Sequence, residues 1–148
     1  MAKDLYTYHW DEENGEAIAT FRGQLRGRET VYQGVAHVHP DDTDMKSELI
    51  GTQIAEWRAQ IKMFQDYLAN ELEPGLAALK QLYYSMNRSK HFNPKSYEAK
   101  MLFRQIRLKE EDIADAKLLI TNIKRYIKEY IDRKEQNYQL IRKKRKQK

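Results

Sequence analysis

The chain has 148 residues, 41% hydrophobic and 33% charged, with ten Tyr, four Phe, two Trp and no Cys. That length suits a single domain with its own core, and the missing thiols exclude a disulfide framework and a thiolate metal cluster. The net charge of +5 is unevenly spread: residues 1–44 hold four basic and nine acidic side chains, residues 45–92 six and five, and residues 93–148 seventeen and eight.

Residues 1–40 read as a three-stranded antiparallel meander. Tyr6, Tyr8 and Trp10 alternate with Thr7 and His9 at the period of a strand. Asp11-Glu12-Glu13-Asn14-Gly15 follows as a polar turn whose Asn-Gly tolerates positive φ. Glu16 to Arg22 offers Ala17, Ala19 and Phe21 to one side, and a loop from Gly23 to Arg28 leads to a third strand, Thr30 to Val38. The small residues Ala17, Ala19, Gly34 and Ala36 leave room for a helix to approach the sheet closely between flanking aromatics.

Pro40-Asp41-Asp42-Thr43-Asp44 supplies cap-forming acceptors for a helix beginning near Asp42 to Asp44. Ile50, Ile54, Trp57, Ile61, Phe64, Leu68 and Leu72 then mark one apolar seam. Pro74-Gly75 predicts a kink or break, after which Leu76, Leu79, Tyr83 and Met86 resume the seam to about residue 90. Asn93-Pro94 predicts the start of a last helix, 93–141, with a seam of Ile106, Ile113, Ala116, Ile120, Ile123, Ile127 and Tyr130, prolonged by Tyr138 and Ile141. Residues 142–148 complete the chain as a basic tail. The expected fold is α+β and mostly α, a meander packed on a long antiparallel helical hairpin, in one domain.

No apolar run approaches the roughly 20 residues that cross a bilayer, and the opening residues MAKDLYTYHWDEE lack a signal-peptide layout, so a cytoplasmic protein without membrane contact is expected. Phosphate-binding Gly-rich loops, G-x-S-x-G and H-E-x-x-H are all missing from the sequence, so the expectation is a non-enzyme without a cofactor. The cations concentrate at Lys124, Arg125, Lys128, Arg133 and Lys134, then at Arg142, Lys143, Lys144, Arg145, Lys146 and Lys148. Such a cluster neutralises phosphates and releases counterions, which points to a nucleic acid or nucleoprotein partner. Asp11, Glu12 and Glu13 are candidates for contact with a basic protein, and the apolar seam is a candidate surface for a homo-oligomer or a coiled-coil scaffold.

His37-Val38-His39-Pro40 places two imidazoles on one side of a strand, the one metal-like arrangement in the sequence. It resembles the His-x-His-Pro element of JAMM-type zinc isopeptidases, with Ser47 matching the family's Ser. The Asp that should follow three residues later is Ile50, so the third ligand is missing and a zinc hydrolase is only a minor alternative. Arg22, Arg26 and Arg28 on a sheet backed by a helix resemble the scaffold of phage integrase arm-binding domains and plant ethylene-response factors, which implies a sheet laid in a DNA groove; the −5 charge of residues 1–44 opposes it. The run Tyr32-Gln33-Gly34-Val35-Ala36-His37-Val38-His39-Pro40-Asp41-Asp42, followed by Glu48, Ile50, Gly51, Ile54, Ala55, Glu56, Arg58 and Ala59, resembles small proteins of phages and mobile elements of Gram-positive bacteria. That resemblance implies action inside the host cell as a transcriptional regulator, a nucleic-acid-binding accessory or an inhibitor of host defence of the anti-CRISPR kind.

Overall fold

In the computed structural model, residues 6–25, 28–37 and 48–146 are described. The fold is α+β and mostly α: a three-stranded antiparallel sheet in the order β1-β2-β3, followed by helices. Strands β1 (Tyr6–Asp11), β2 (Glu16–Leu25) and β3 (Arg28–His37) precede α1 (Glu48–Tyr67), a π-turn (Leu68–Leu72), α2 (Glu73–Asn87) and α3 (Tyr97–Lys146). The chain divides into two compact units, one of residues 1–63 with 121–148 and one of residues 64–120.

In the first unit, hydrogen-bonded register arranges one sheet face into rows. Trp10, Ala17 and Ala36 form one row, Tyr8, Ala19 and Gly34 the next, and Tyr6, Phe21 and Tyr32 the third. The third row is a cross-strand aromatic ladder, with Phe21 centred 5.0 Å from Tyr6 and 6.3 Å from Tyr32. The first two rows are low in the middle, and α1 lies there. Gly51, Ala55 and Ala59, spaced by four along α1, are all buried. A Cβ on Gly34 would run into the backbone of Ala55 and Ala59, and one on Gly51 would come within 2.9 Å of Ala17 Cβ and 3.0 Å of the Trp10 ring. The expected close approach is thus made by two lines of small residues, one per element. Of Val38, expected on this face, and of the helix start near Asp42, nothing is described.

Polar side chains rim this contact. Gln60 donates to the Tyr6 hydroxyl at 3.1 Å, the Tyr8 hydroxyl donates to Glu56 at 3.4 Å, and Arg58 donates to the Val35 carbonyl at 2.7 Å. Trp57, on the large-residue seam of α1, meets Tyr130 of α3 edge-on with ring centres 5.3 Å apart. The strands are longer than their hydrophobic pattern implied, and the loop expected from Gly23 to Arg28 shrinks to residues 26–27. Gly23 pairs with Thr30 and Leu25 with Arg28, and the Thr30 hydroxyl donates to the Gly23 carbonyl at 3.2 Å.

In the second unit the proline is admitted without a break. The Glu73 amide donates to the Leu68 carbonyl five residues back, and Pro74 sits in the first turn of α2. A widened π-turn relieves the clash between a proline ring and the carbonyl one turn earlier. Leu72, 1% exposed, packs with Ile113 and Ala116 of α3, with Leu68 and Leu76 beside them. Further along, Tyr83 meets Phe92 and Phe103 with ring centres 5.9 and 6.3 Å away, so α2 and the first part of α3 run antiparallel. The cap of α3 is Ser96 and not Asn93: Ser96 Oγ accepts from the Ala99 amide at 3.2 Å, while Asn93 closes a turn before it.

Two glycines set opposite expectations. Gly34→Ala is expected to lower stability by at least about 2 kcal/mol, because backbone and not a flexible side chain occupies the space. Gly75→Ala, where a Cβ would make ordinary contact with Lys109 Cε at 3.6 Å, is expected to raise it by about 0.5–1 kcal/mol through helix propensity; denaturant unfolding of both variants checks the signs. Burial first, and then the Glu56 charge, raises the Tyr6 pKa above that of a free tyrosine against the lowering hydrogen bond from Gln60. Burial and then Glu56 raise that of Tyr8. The folded chain therefore holds both phenolic protons more tightly, so this stability is intact below the ordinary tyrosine pKa and is lost as pH rises through the raised values. A Tyr6→Phe, Tyr8→Phe double variant is expected to show a flatter alkaline limb in a pH series of unfolding curves.

Candidate nucleic-acid interface

After Pro94 the sequence contains neither Gly nor Pro, and nothing in it stops a helix. Helix α3 accordingly continues to Lys146, through the residues expected to form a separate tail. Arg142, Lys143, Lys144, Arg145 and Lys146 are therefore helical, and only Gln147 and Lys148 fall outside the described residues. This corrects the expected boundary at residue 141.

The buried stripe of α3 contains Ile123 and Ile127 in this stretch. Lys124, Arg125, Lys128 and Arg133 are exposed around it, and Lys134 is half-buried with its ammonium 5.4 Å above the Tyr130 ring. Arg125 is shared between Glu129, 3.8 Å away, and the Tyr126 ring, 5.6 Å from its guanidinium carbon. Glu129, Asp132 and Glu135 are interleaved with these first five cations, whereas 142–146 contain no acidic residue. Lys143 and Lys144 are exposed. The structure thus gathers the basic residues on one helix in two stretches, one compensated and one not, separated by the uncharged residues 136–141.

Like charges three and four apart, such as Arg142 with Arg145 and Lys146, each disfavour the helix by about 0.2–0.5 kcal/mol. Their position in the last turns offsets part of this, because cations there face the negative end of the helix dipole. A bound polyanion would remove the remaining repulsion. Chemically the surface can neutralise several phosphates along a roughly 33 Å length from Lys124 to Lys146, at about 1.5 Å per residue.

The other candidates stand apart from this surface. The Asp11 carboxylate accepts from the amides of Glu13 and Asn14 at 3.1 and 3.3 Å and from the Asn14 side chain at 2.7 Å, leading into Gly15 with φ 61°. The Asn14 bonds hold its pKa below that of a free Asp, so Asp11 closes its own turn, while Glu12 and Glu13 are exposed beside it. His37, at the exposed end of β3, lies 3.5 Å from Glu16. His39 and Ser47 are outside the described residues, and Ile50 is in the first turn of α1. Among the described residues no group of three His, Cys, Asp or Glu could hold a metal ion, and no helix is long and apolar enough to cross a membrane. Of the three sheet arginines, Arg22 is exposed across from Val31, Arg26 is outside the described residues, and Arg28 opens β3.

The exposed Arg125–Glu129 pair contributes little to the fold. Glu129→Gln is expected to change unfolding stability by less than about 0.5 kcal/mol, measured by urea titration. No protein-family model, curated protein or solved structure matches this chain.

Proposed function

We propose that the chain is a non-catalytic binding protein that engages the phosphates of a nucleic acid, free or within a nucleoprotein, through the C-terminal part of α3. The observation that carries this reading is the continuation of the helix through Arg142–Lys146, which places five consecutive cations, free of interleaved acids, on regular backbone. A helix holds its cations at fixed rise, so less ordering entropy is lost on binding than for a disordered tail. The exposed Lys124, Arg125, Lys128 and Arg133 extend the contact. Recognition of this kind is read through the backbone and is largely independent of base sequence. The acidic residues 1–44 would be repelled by phosphate, which favours approach by the cationic end alone.

The test is a salt series of binding to a short DNA or RNA duplex. Changing Arg142, Lys143, Lys144, Arg145 and Lys146 together to Gln preserves helix propensity and removes five charges. Affinity is expected to fall by at least about tenfold, and the slope of log affinity against log salt to shrink by about one for each phosphate that the variant no longer neutralises. Equal affinity and equal slope for the variant and the parent chain would rule the assignment out.

A further inference from the structure

The seam once open to self-pairing is spent inside the chain, since Ile106, Ile113, Ala116 and Ile120 are buried. Helix α2 is different. It turns Leu76, Leu79, Tyr83 and Met86 toward α3, yet none of its 15 residues is buried. Its opposite side presents Pro74, Ala77, Ala78, Gln81, Tyr84, Ser85 and Arg88, all exposed. The Tyr84 ring, 66% exposed, and Pro74 enclose a hollow lined by Ala77, Ala78, Lys80 and Gln81. A second hollow, between Tyr84, Ser85 and Arg88, follows it.

We propose that this face binds the same face of a second copy, antiparallel, about a two-fold axis at Gln81. The sizes are complementary about that residue. Tyr84 lies three positions beyond Gln81 and Ala78 three before it, while Ser85 and Ala77 lie four to either side. An antiparallel pair therefore sets each Tyr84 ring against the partner's Ala78, at the Ala77–Ala78 hollow, and faces small residue to small residue beside it. The charges are complementary too. Arg88 closes one end of the face, and Glu73, exposed next to Pro74, closes the other. Antiparallel pairing brings each Arg88 to the partner's Glu73, whereas parallel pairing would oppose like charges. The two Gln81 amides meet at the axis, where each can donate to and accept from the other. This is an isologous contact of the kind that closes at two copies.

One face of a 15-residue helix is small. It falls toward the low end of specific interfaces, below about 1,200 Å² of total buried surface, so the dimer forms in equilibrium with single chains. The inference does not depend on the function proposed for α3.

The experiment is sedimentation equilibrium of the full chain up to millimolar concentration. The mass is expected to rise from one chain to two. Tyr84→Ala, at an exposed position that leaves the fold intact by circular dichroism, is expected to weaken the dimer by at least about tenfold, as loss of an aromatic anchor does. Glu73→Arg and Arg88→Glu are each expected to weaken it, and the two together to restore it, because the exchanged charges again attract across the axis. A single-chain mass at the highest concentration overturns the proposal and leaves the face to solvent or to another protein. So does a dimer indifferent to Tyr84→Ala, or a double charge exchange no tighter than its single variants.

Discussion

The contact of Gly34 with the α1 backbone at Ala55 and Ala59 is the constraint from which the first unit is built. Helix and sheet are normally held apart by the side chains between them. Here both surfaces are pared to glycine and alanine, so backbone meets backbone and the stabilisation comes from many short dispersion contacts and little apolar area. Such an interface has almost no freedom to slide. It fixes the turn of α1 about its axis, and with it which residues look elsewhere. Glu56, Gln60 and Arg58 reach Tyr8, Tyr6 and the Val35 carbonyl because the small line is centred on the sheet, and Trp57 is thereby left to meet Tyr130.

Much of this is legible in the sequence, for reasons that differ by element. The three strands announce themselves through period-two alternation and the Asn14-Gly15 turn, and the shallow middle of the sheet through Ala17, Ala19, Gly34 and Ala36. The matching line of Gly51, Ala55 and Ala59 escapes a hydrophobic periodicity, which weighs large apolar residues, and those describe the other flank of α1. The strand ends at Gly23 to Leu25 are hidden because polar residues extend a ladder without contributing to its hydrophobic pattern. At α3, Asn93-Pro94 and Ser96 are both competent caps, and the hydrogen bond to the Ala99 amide that decides between them is a fact of geometry.

The candidate interface is legible in composition but not in form. Charge along the chain locates the cations, yet a run of Arg and Lys reads equally as a loose tail or as the last turns of a helix. The lack of Gly and Pro is the available signal, and it outweighs repulsion among neighbours that costs only tenths of a kcal/mol per pair. What such a surface binds is written in the partner as much as in the chain, because exposed cations carry no shape that selects one anion over another. The acidic residues interleaved at Glu129, Asp132 and Glu135 nonetheless separate a stretch whose charge is largely balanced from one whose charge is not.

The π-turn ahead of Pro74 has a consequence for how this chain tolerates change in length. A π-turn holds one residue more than the α-helical turn it replaces, so Leu68–Leu72 amounts to an insertion absorbed within a helix. The extra residue sets the phase between Leu68 and the stripe of Leu76, Leu79 and Tyr83 that follows. Deleting a single residue there, Ala69 for instance, would let ordinary helical bonding resume, but would swing that stripe by roughly 100° about the helix axis, the angle of one residue in 3.6 per turn. Point substitutions on the exposed side of this turn should thus be better tolerated than the loss of any one of its residues.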